Sequence, residues 1–376
     1  MTSKSNRRRL TTLAAVLTVT VTAGVTTAGA RPSGGTVKAA SESDQLAALY
    51  EKAKQEGGTL TVYAGGDAFR GQDRVVQAFE QRFPGLDIDI KVDLSKDLVP
   101  RIDNEIARGE VKADIAHIQL SNDLERWKKE GELLKYRPIG WNRIYPQFKD
   151  DGYITGMGVT AFANVVNKDL QTKGEAPVEA LDYLKPEFKD QLVLTYPNDD
   201  DAVLWQFQQL VKTYGWDYFD RLRAQNPQWI RGSRPAANTV VAGTKQATFT
   251  ASNALNQPAN STVAFTLPKT DRFLSWAQSA SILKQAKHPE TAKLYLSWLT
   301  SKEYQDTMVS QWSVRSDVQA KNGWGTIFDY ENTDPTAFAK WLRNRTEVEK
   351  FRNQIVFYLG APKGDSPTKE TFPDRP

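Results

Sequence analysis

From residue 59 onward, short β-branched runs alternate with helical patterns, and this alternation restricts the chain more than any other feature. Strands separated by helices cannot pair as hairpins. The helices must cross over the sheet, so the pattern calls for an α/β architecture with a mostly parallel sheet. Thr59-Leu-Thr-Val-Tyr-Ala64 alternates as a strand and runs straight into Gly65-Gly66. Val75, Val76, Phe79 and Phe83 then recur at helical spacing before Pro84-Gly85, and Leu86 to Val92 alternates again. Leu98 to Arg108 reads as a helix, Ala113 to Ile118 as a strand and Asn122 to Glu130 as an amphipathic helix. Ahead of this series, Ser43-Asp44 is expected to cap a helix running to Gly57-Gly58.

After Tyr153 a near-continuous β-like run, Val159 to Val166, reads as a crossover between two halves of the molecule. A second α/β set follows: strand Leu192 to Tyr196, helices Asp201 to Tyr214 and Asp217 to Ala224, and strand Ala247 to Ala251. Thr262 to Leu267 is expected to return the chain to the first half. Pro289 opens an amphipathic helix ending at Leu299, and the remainder is mainly helical with a Pro/Lys/Asp-rich tail.

Lys4 and Arg7-Arg8-Arg9 precede an uncharged stretch from Leu10 to Ala30 that ends in Ala28-Gly29-Ala30, the pattern of a cleaved export signal, with the arginine run also fitting the twin-arginine route. Removing residues 1–30 takes away four bases and no acid, which leaves 45 bases against 45 acids. A neutral mature chain lacks the basic footprint of a nucleic-acid binder. The sequence holds no cysteine, which excludes disulfides, thiolate metal sites, a thiol nucleophile and a lipoprotein anchor. About 345 residues remain, beyond the roughly 250–300 at which a single core stops growing, so two lobes are expected.

The motifs point to binding more than to catalysis. Gly156-Met-Gly158-Val-Thr-Ala161 fits a dinucleotide fingerprint in spelling, but a β-branched segment follows where a helix is required. There are two histidines, no nucleophile elbow and no H-E-x-x-H. His288, before Pro289, reads as a capping-region residue, and His117 lies near the carboxyl end of its strand, where core and ligand roles are both open. Tyr196-Pro-Asn-Asp-Asp-Asp201 joins a strand to a helix; its acids suit capping, a cationic ligand group or an oxygen-loving metal. Arg231-Gly-Ser-Arg234 precedes a helical stretch, and a guanidinium beside free N–H groups suits a carboxylate or phosphate. Trp141, in a segment without periodicity, is a candidate cleft residue.

The order of elements, the export signal and several local phrases resemble extracytoplasmic solute-binding proteins of ABC importers, in the iron(III)-type or family 1 branch. The phrases are Gly58-Thr-Leu-Thr-Val-Tyr63, Phe79-Glu-Gln-Arg-Phe-Pro-Gly85, Ala113-Asp-Ile-Ala116, Phe162-Ala-Asn-Val-Val-Asn167 and Ala286-Lys-His-Pro-Glu-Thr-Ala-Lys-Leu-Tyr-Leu-Ser-Trp-Leu299. The resemblance implies a two-lobed periplasmic-binding-protein-like fold with a two-stranded hinge and a ligand cleft between the lobes. Residues 43–158 with 270–312 would form lobe 1, residues 159–269 with 313–365 lobe 2, residues 31–42 a leader and residues 366–376 a tail. It further implies a periplasmic or secreted monomer, neither an enzyme nor dependent on a cofactor, that delivers a small-molecule solute to an ABC permease and meets the membrane only through it.

Carried over by position, the cleft walls would be Gly65, Gly66 and Asp67; His117 and Gln119; Thr160 and Phe162; Tyr196, Asn198, Asp199 and Asp200; Arg231; and Ser252 and Asn253. Iron-binding members place adjacent tyrosines where this chain reads Thr250-Ala-Ser-Asn-Ala254, so the resemblance implies an organic solute, phosphorylated or amine-bearing, ahead of ferric iron. A secreted hydrolase using Asp67 and Asp199 as an acid–base pair is the alternative from another class.

Overall fold

The computed structural model describes residues 40–171 and 175–373. The export segment and most of the leader lie outside them. Helix α1 (Glu42–Glu56) starts from Ser41: its Oγ accepts the Asp44 N–H, and the Asp44 carboxylate accepts the Ser41 N–H. The cap is therefore Ser41 and not Ser43, because only a serine three residues before Asp44 completes this reciprocal pair. There follow β1 (Thr59–Gly65), α2 (Asp73–Arg82), β2 (Asp87–Asp93), α3 (Ser95–Arg108), β3 (Ile115–Ile118), α4 (Ser121–Glu130) and two short strands, β4 (Leu133–Leu134) and β5 (Lys149–Asp150).

The second half opens with β6 (Ile154–Asn167), followed by β7 (Val193–Thr195), α5 (Asp201–Ala224), β8 (Gln228–Ile230), α6 (Ser233–Val241), β9 (Ala247–Ala251) and β10 (Val263–Thr266). Gly215, at φ 76°, divides α5 into the two helical stretches the sequence anticipates. Strand β11 (Leu274–Leu283), helices α7 (Pro289–Thr300) and α8 (Lys302–Thr307), then α9 (Ala337–Leu342) and α10 (Arg345–Leu359) complete the fold.

Hydrogen bonding runs through nine strands in the order β10-β6-β11-β3-β1-β2, with β4 on β11 and β5 and β9 on β6. Strand β1 is parallel to β2 and β3, but β11 is antiparallel to β3, and β6 is antiparallel to β11, β9 and β10. The expected mostly parallel sheet is thus corrected to a mixed one. The 14-residue β6 serves two strand groups: residues 155–162 pair with β11, and 163–167 with β9 and β10.

The strand that returns to β3 is β11, not 262–267, which as β10 stays on the far end of β6. Serine content, not lack of alternation, masks β11 in the sequence, for Ser275, Ser279 and Ser281 are all buried in the ladder. Pairing with β3 and β6 overrides weak strand propensity there.

Strand alternation divides the interior. Leu60, Val62 and Ala64 of β1 pack with α1, α2 and α7, where Phe79, Phe83, Tyr295 and Trp298 meet edge to face or tilted. Tyr63, between them on the other face, joins Leu98, Ile102, Leu124 and Trp127 in a cluster that extends to Phe207, Phe219 and Phe351 of α5 and α10. Beyond α10 the chain crosses back as a strap. Asn198 holds the Gly360 carbonyl at 2.9 Å, Thr368 donates to the Asp93 carboxylate, Thr371 donates to the Val92 carbonyl at 2.6 Å, and Phe372 lies between Tyr63 and the Arg101 guanidinium.

Asp114 staples β1 to the start of α7. Its buried carboxylate accepts N–H groups from Thr61 (2.9 Å), Lys287 (2.7 Å) and His288 (2.9 Å), and stands 3.1 Å from His288 Nδ1. His288 does occupy the N-cap position of α7, but its ring turns to Asp114 instead of capping. Replacing Asp114 by Ala would strand three backbone donors, and we expect a loss of about 3 kcal/mol or more, read from urea unfolding. A loss below about 1 kcal/mol would refute the staple.

Candidate functional site

A cavity of about 250 Å³ opens where the carboxyl ends of β1 and β2 face the N-termini of α5 and α6. The turn after β1 forms one wall, and the Asp199–Asp201, Ser233–Arg234 and Ser252 turns form the opposite one. Residues of β6 and β11 close the base. Gly65 and Gly66 are required by closeness: a Cβ on Gly65 would lie 2.2 Å from Ser95 Oγ, and one on Gly66 would lie 2.9 Å from Val92 Cγ1. With side chains absent, the turn can lie against α3 and still border the cavity.

The three consecutive aspartates have three separate employments. Asp199, 3% exposed, accepts from Lys96 Nζ at 2.5 Å and from Arg231 Nε and Nη2 at 2.8 and 3.1 Å. Burial pushes its pKa up, but the hydrogen bonds and charges of Arg231 and Lys96 outweigh that and hold it below the ordinary carboxylate value. Asp200 caps α5, accepting the Ala202 and Val203 N–H groups at 2.7 and 3.2 Å. Burial first, then the neighbouring charge of Asp67, pushes the Asp200 carboxyl up to about 7 despite those bonds. Asp201 is paired with Arg352 at 2.6 Å.

Asp67 closes the circuit across the cavity. Its Oδ2 accepts the Ser233 N–H, the Ser233 hydroxyl at 2.7 Å and the Arg234 N–H at 3.0 Å, all at the start of α6. The Arg231–Arg234 turn does receive carboxylates, as its chemistry suggests, but they are the chain's own: Asp199 on Arg231 and Asp67 on the N–H groups.

Of the residues singled out in sequence, Gly65, Gly66, Asp67, Gln119, Thr160, Phe162, Asp199, Asp200 and Ser252 border this cavity. His117, Tyr196, Asn198, Arg231 and Asn253 do not. Burial lowers the His117 pKa to about 4, and its Nε2 has no hydrogen-bond partner. Tyr196 packs against Trp229, Asn253 holds its own loop through Ala254 and Gln257, and Asn198 borders a neighbouring groove. Trp141 lies in a different depression beside α1, which corrects its assignment to the cleft.

Sequence reasoning missed Lys96, Ser233, Trp276 and Gln278. Trp276 and Gln278 point the same way, two residues apart on β11, and border the cavity. Trp276 is 4% exposed and its indole Nε1 has no partner; the Gln278 Oε1 is likewise buried and unpartnered. One is a donor, the other an acceptor. Trp276 also meets Phe162 edge to face, 5.0 Å between centroids. A period-2 pattern over 274–283 was the available signal.

The acid–base alternative has no free pair to use, since Asp67 is bound to three donors and Asp199 to two cations. Among the described residues, no group of three or more His, Asp or Glu side chains is placed to hold a metal ion.

A carboxyl raised in the folded state contributes stability that is full below its unfolded pKa and is lost as pH rises through its folded one. For Asp200 that window runs from 3.8 to about 7. Asparagine caps as well as aspartate and cannot ionise. Asp200→Asn should therefore gain on wild type by up to about 4 kcal/mol between those limits, measured by urea unfolding at a series of pH values. A stability difference that does not vary with pH would count against the assigned environment.

The family described as bacterial extracellular solute-binding protein matches residues 60–311. No curated protein matches the sequence. Among solved structures, the substrate-binding protein of an ABC transporter from Agrobacterium tumefaciens superposes with a TM-score of 0.70 at 16% identity, covering 82% of this chain and 96% of that one. The periplasmic binding protein AfuA from Actinobacillus pleuropneumoniae, with exogenous fructose-6-phosphate bound, gives 0.65 at 18% identity, covering 80% and 98%. Iron-bound HitA from Pseudomonas aeruginosa gives 0.59 at 19% identity, covering 79% and 99%. These likenesses establish a mixed α/β periplasmic-binding-protein fold of type II. The family match over most of the chain makes it a member of the bacterial extracellular solute-binding proteins, a non-catalytic family.

Proposed function

We propose that the cavity between the β1–β2 wall and the α5–α6 wall captures one small polar organic solute, which an exported monomer delivers to an ABC permease. The observation that carries this reading is the unpartnered Trp276 indole N–H, 4% exposed at the cavity wall. A buried donor without an acceptor is costly, and a solute oxygen would relieve it. Gln278 Oε1 supplies the complementary acceptor. Two lobes, residues 43–158 with 270–312 and 159–269 with 313–365, would close on the solute, with β6 and β11 as the connecting strands. Closure then follows by population shift, since the closed form alone gives the solute both walls.

An organic solute is favoured over ferric iron because no tyrosine borders the cavity among the described residues, and Ser252 stands where a phenolate would be needed. A ferric titration should produce no visible tyrosinate charge-transfer band; a stoichiometric band would reverse the choice of ligand.

Mass spectrometry of the molecule that copurifies identifies the solute, and isothermal titration with it tests the site. Trp276→Phe keeps most of the ring and removes the donor, so affinity should fall about tenfold, the worth of one hydrogen bond. Ser252→Trp should abolish binding by filling the cavity. The tryptophan fluorescence change on binding should shrink in Trp276→Phe. Unaltered affinity in both folded variants would move the site elsewhere.

A further inference from the structure

The cavity has two positive poles, and the chain fills both itself. Asp200 sits on the N-terminus of α5 and Asp67 on that of α6. The first is local capping. The second is not: Asp67 belongs to the turn after β1 and reaches across the cavity to residues 166 and 167 positions away. Its Cβ comes within 3.1 Å of the Cβ position of Gly232, which only a glycine at φ 89° leaves open. The three donors that it engages, two backbone N–H groups and a hydroxyl, are the set that a carboxylate or phosphate of a solute would use. Arg234 also borders the cavity, and among the described residues its exposed guanidinium has no ion-pair partner.

Resting on the solute-binding reading above, we infer that Asp67 is a specificity-determining residue: it occupies the anion seat at the start of α6 and so restricts the cleft to solutes that are neutral or cationic at this wall. An anionic group entering here would have to displace three hydrogen bonds and then lie beside the expelled carboxylate and Asp200. Burial first, and the charge of Asp67 second, hold the Asp200 carboxyl above its ordinary value, so a further negative charge at this corner would meet both a dry environment and a neighbouring carboxylate. The directional groups left for the solute, Trp276 Nε1–H and Gln278 Oε1, are uncharged and suit hydroxyl or amide functions.

Removing the internal anion should open the seat. Asp67→Ala and Asp67→Ser, checked for native melting, are titrated by calorimetry with inorganic phosphate and with sulfate alongside wild type. Both variants should bind phosphate at least roughly tenfold more tightly than wild type, the scale of one charge-assisted hydrogen bond, and phosphate should raise their melting temperatures but not that of wild type. Adding Arg234→Ala to Asp67→Ala should reverse part of the gain. Wild type binding phosphate as tightly as the folded variants, or folded variants that gain no phosphate affinity, would overturn the inference. Neither outcome depends on the natural solute, so failure here is distinct from failure of the solute-binding reading, which is judged on the copurifying molecule.

Discussion

The ladder made by β6 and β11 is the constraint from which the rest follows. These two strands pair over residues 155–162 and 274–280, and each then pairs with a different group, β3 beside one and β9 and β10 beside the other. Every buried backbone group along them must find a partner, so the ladder determines where both sets of helices can dock. It also places Thr160, Phe162, Trp276 and Gln278 at the base of the cavity. The base is therefore built on strands paired along both edges, while the walls are turns.

Electrostatic self-sufficiency distinguishes those walls. Lys96, Asp199 and Arg231 form a closed triad, Asp201 is held by Arg352, and the two helix N-termini are satisfied by Asp200 and Asp67. Half-satisfied polar networks are costly in a low-dielectric site, and this one is nearly complete without a guest. What is left unpaired is the exposed Arg234 side chain and two neutral, directional groups, Trp276 Nε1–H and Gln278 Oε1.

Much of the architecture was legible because periodicity records burial. The β1–α2–β2 unit, the break in α5 at Gly215 and strand β9 all appear where alternation and helical spacing place them. Strand β11 did not, because its burial is carried by serines whose polarity conceals it. The site was half legible for a related reason. Turns at strand ends mark a wall, so Gly65, Gly66, Asp67 and Asp199 were found. Partners far apart in the chain, such as Asp67 with Ser233 or Lys96 with Asp199, depend on tertiary approach and leave no local signal. His117, for which the sequence leaves core and ligand roles both open, lies off the cavity, in surroundings that lower its pKa to about 4 through burial.

The strap after α10 sets a reach. It is held at Gly360 by Asn198, in the segment that leads into the Asp199–Asp201 wall, and at Thr368 by Asp93, at the end of β2 behind the facing wall. Eight residues of fully extended chain span at most about 28 Å. Any separation of the walls that leaves both anchors in place is bounded by that length, and a wider one must release Gly360 from Asn198 or peel Thr368, Thr371 and Phe372 from β1, β2 and α3. The strap is a tether whose slack, rather than its strength, would limit any such opening.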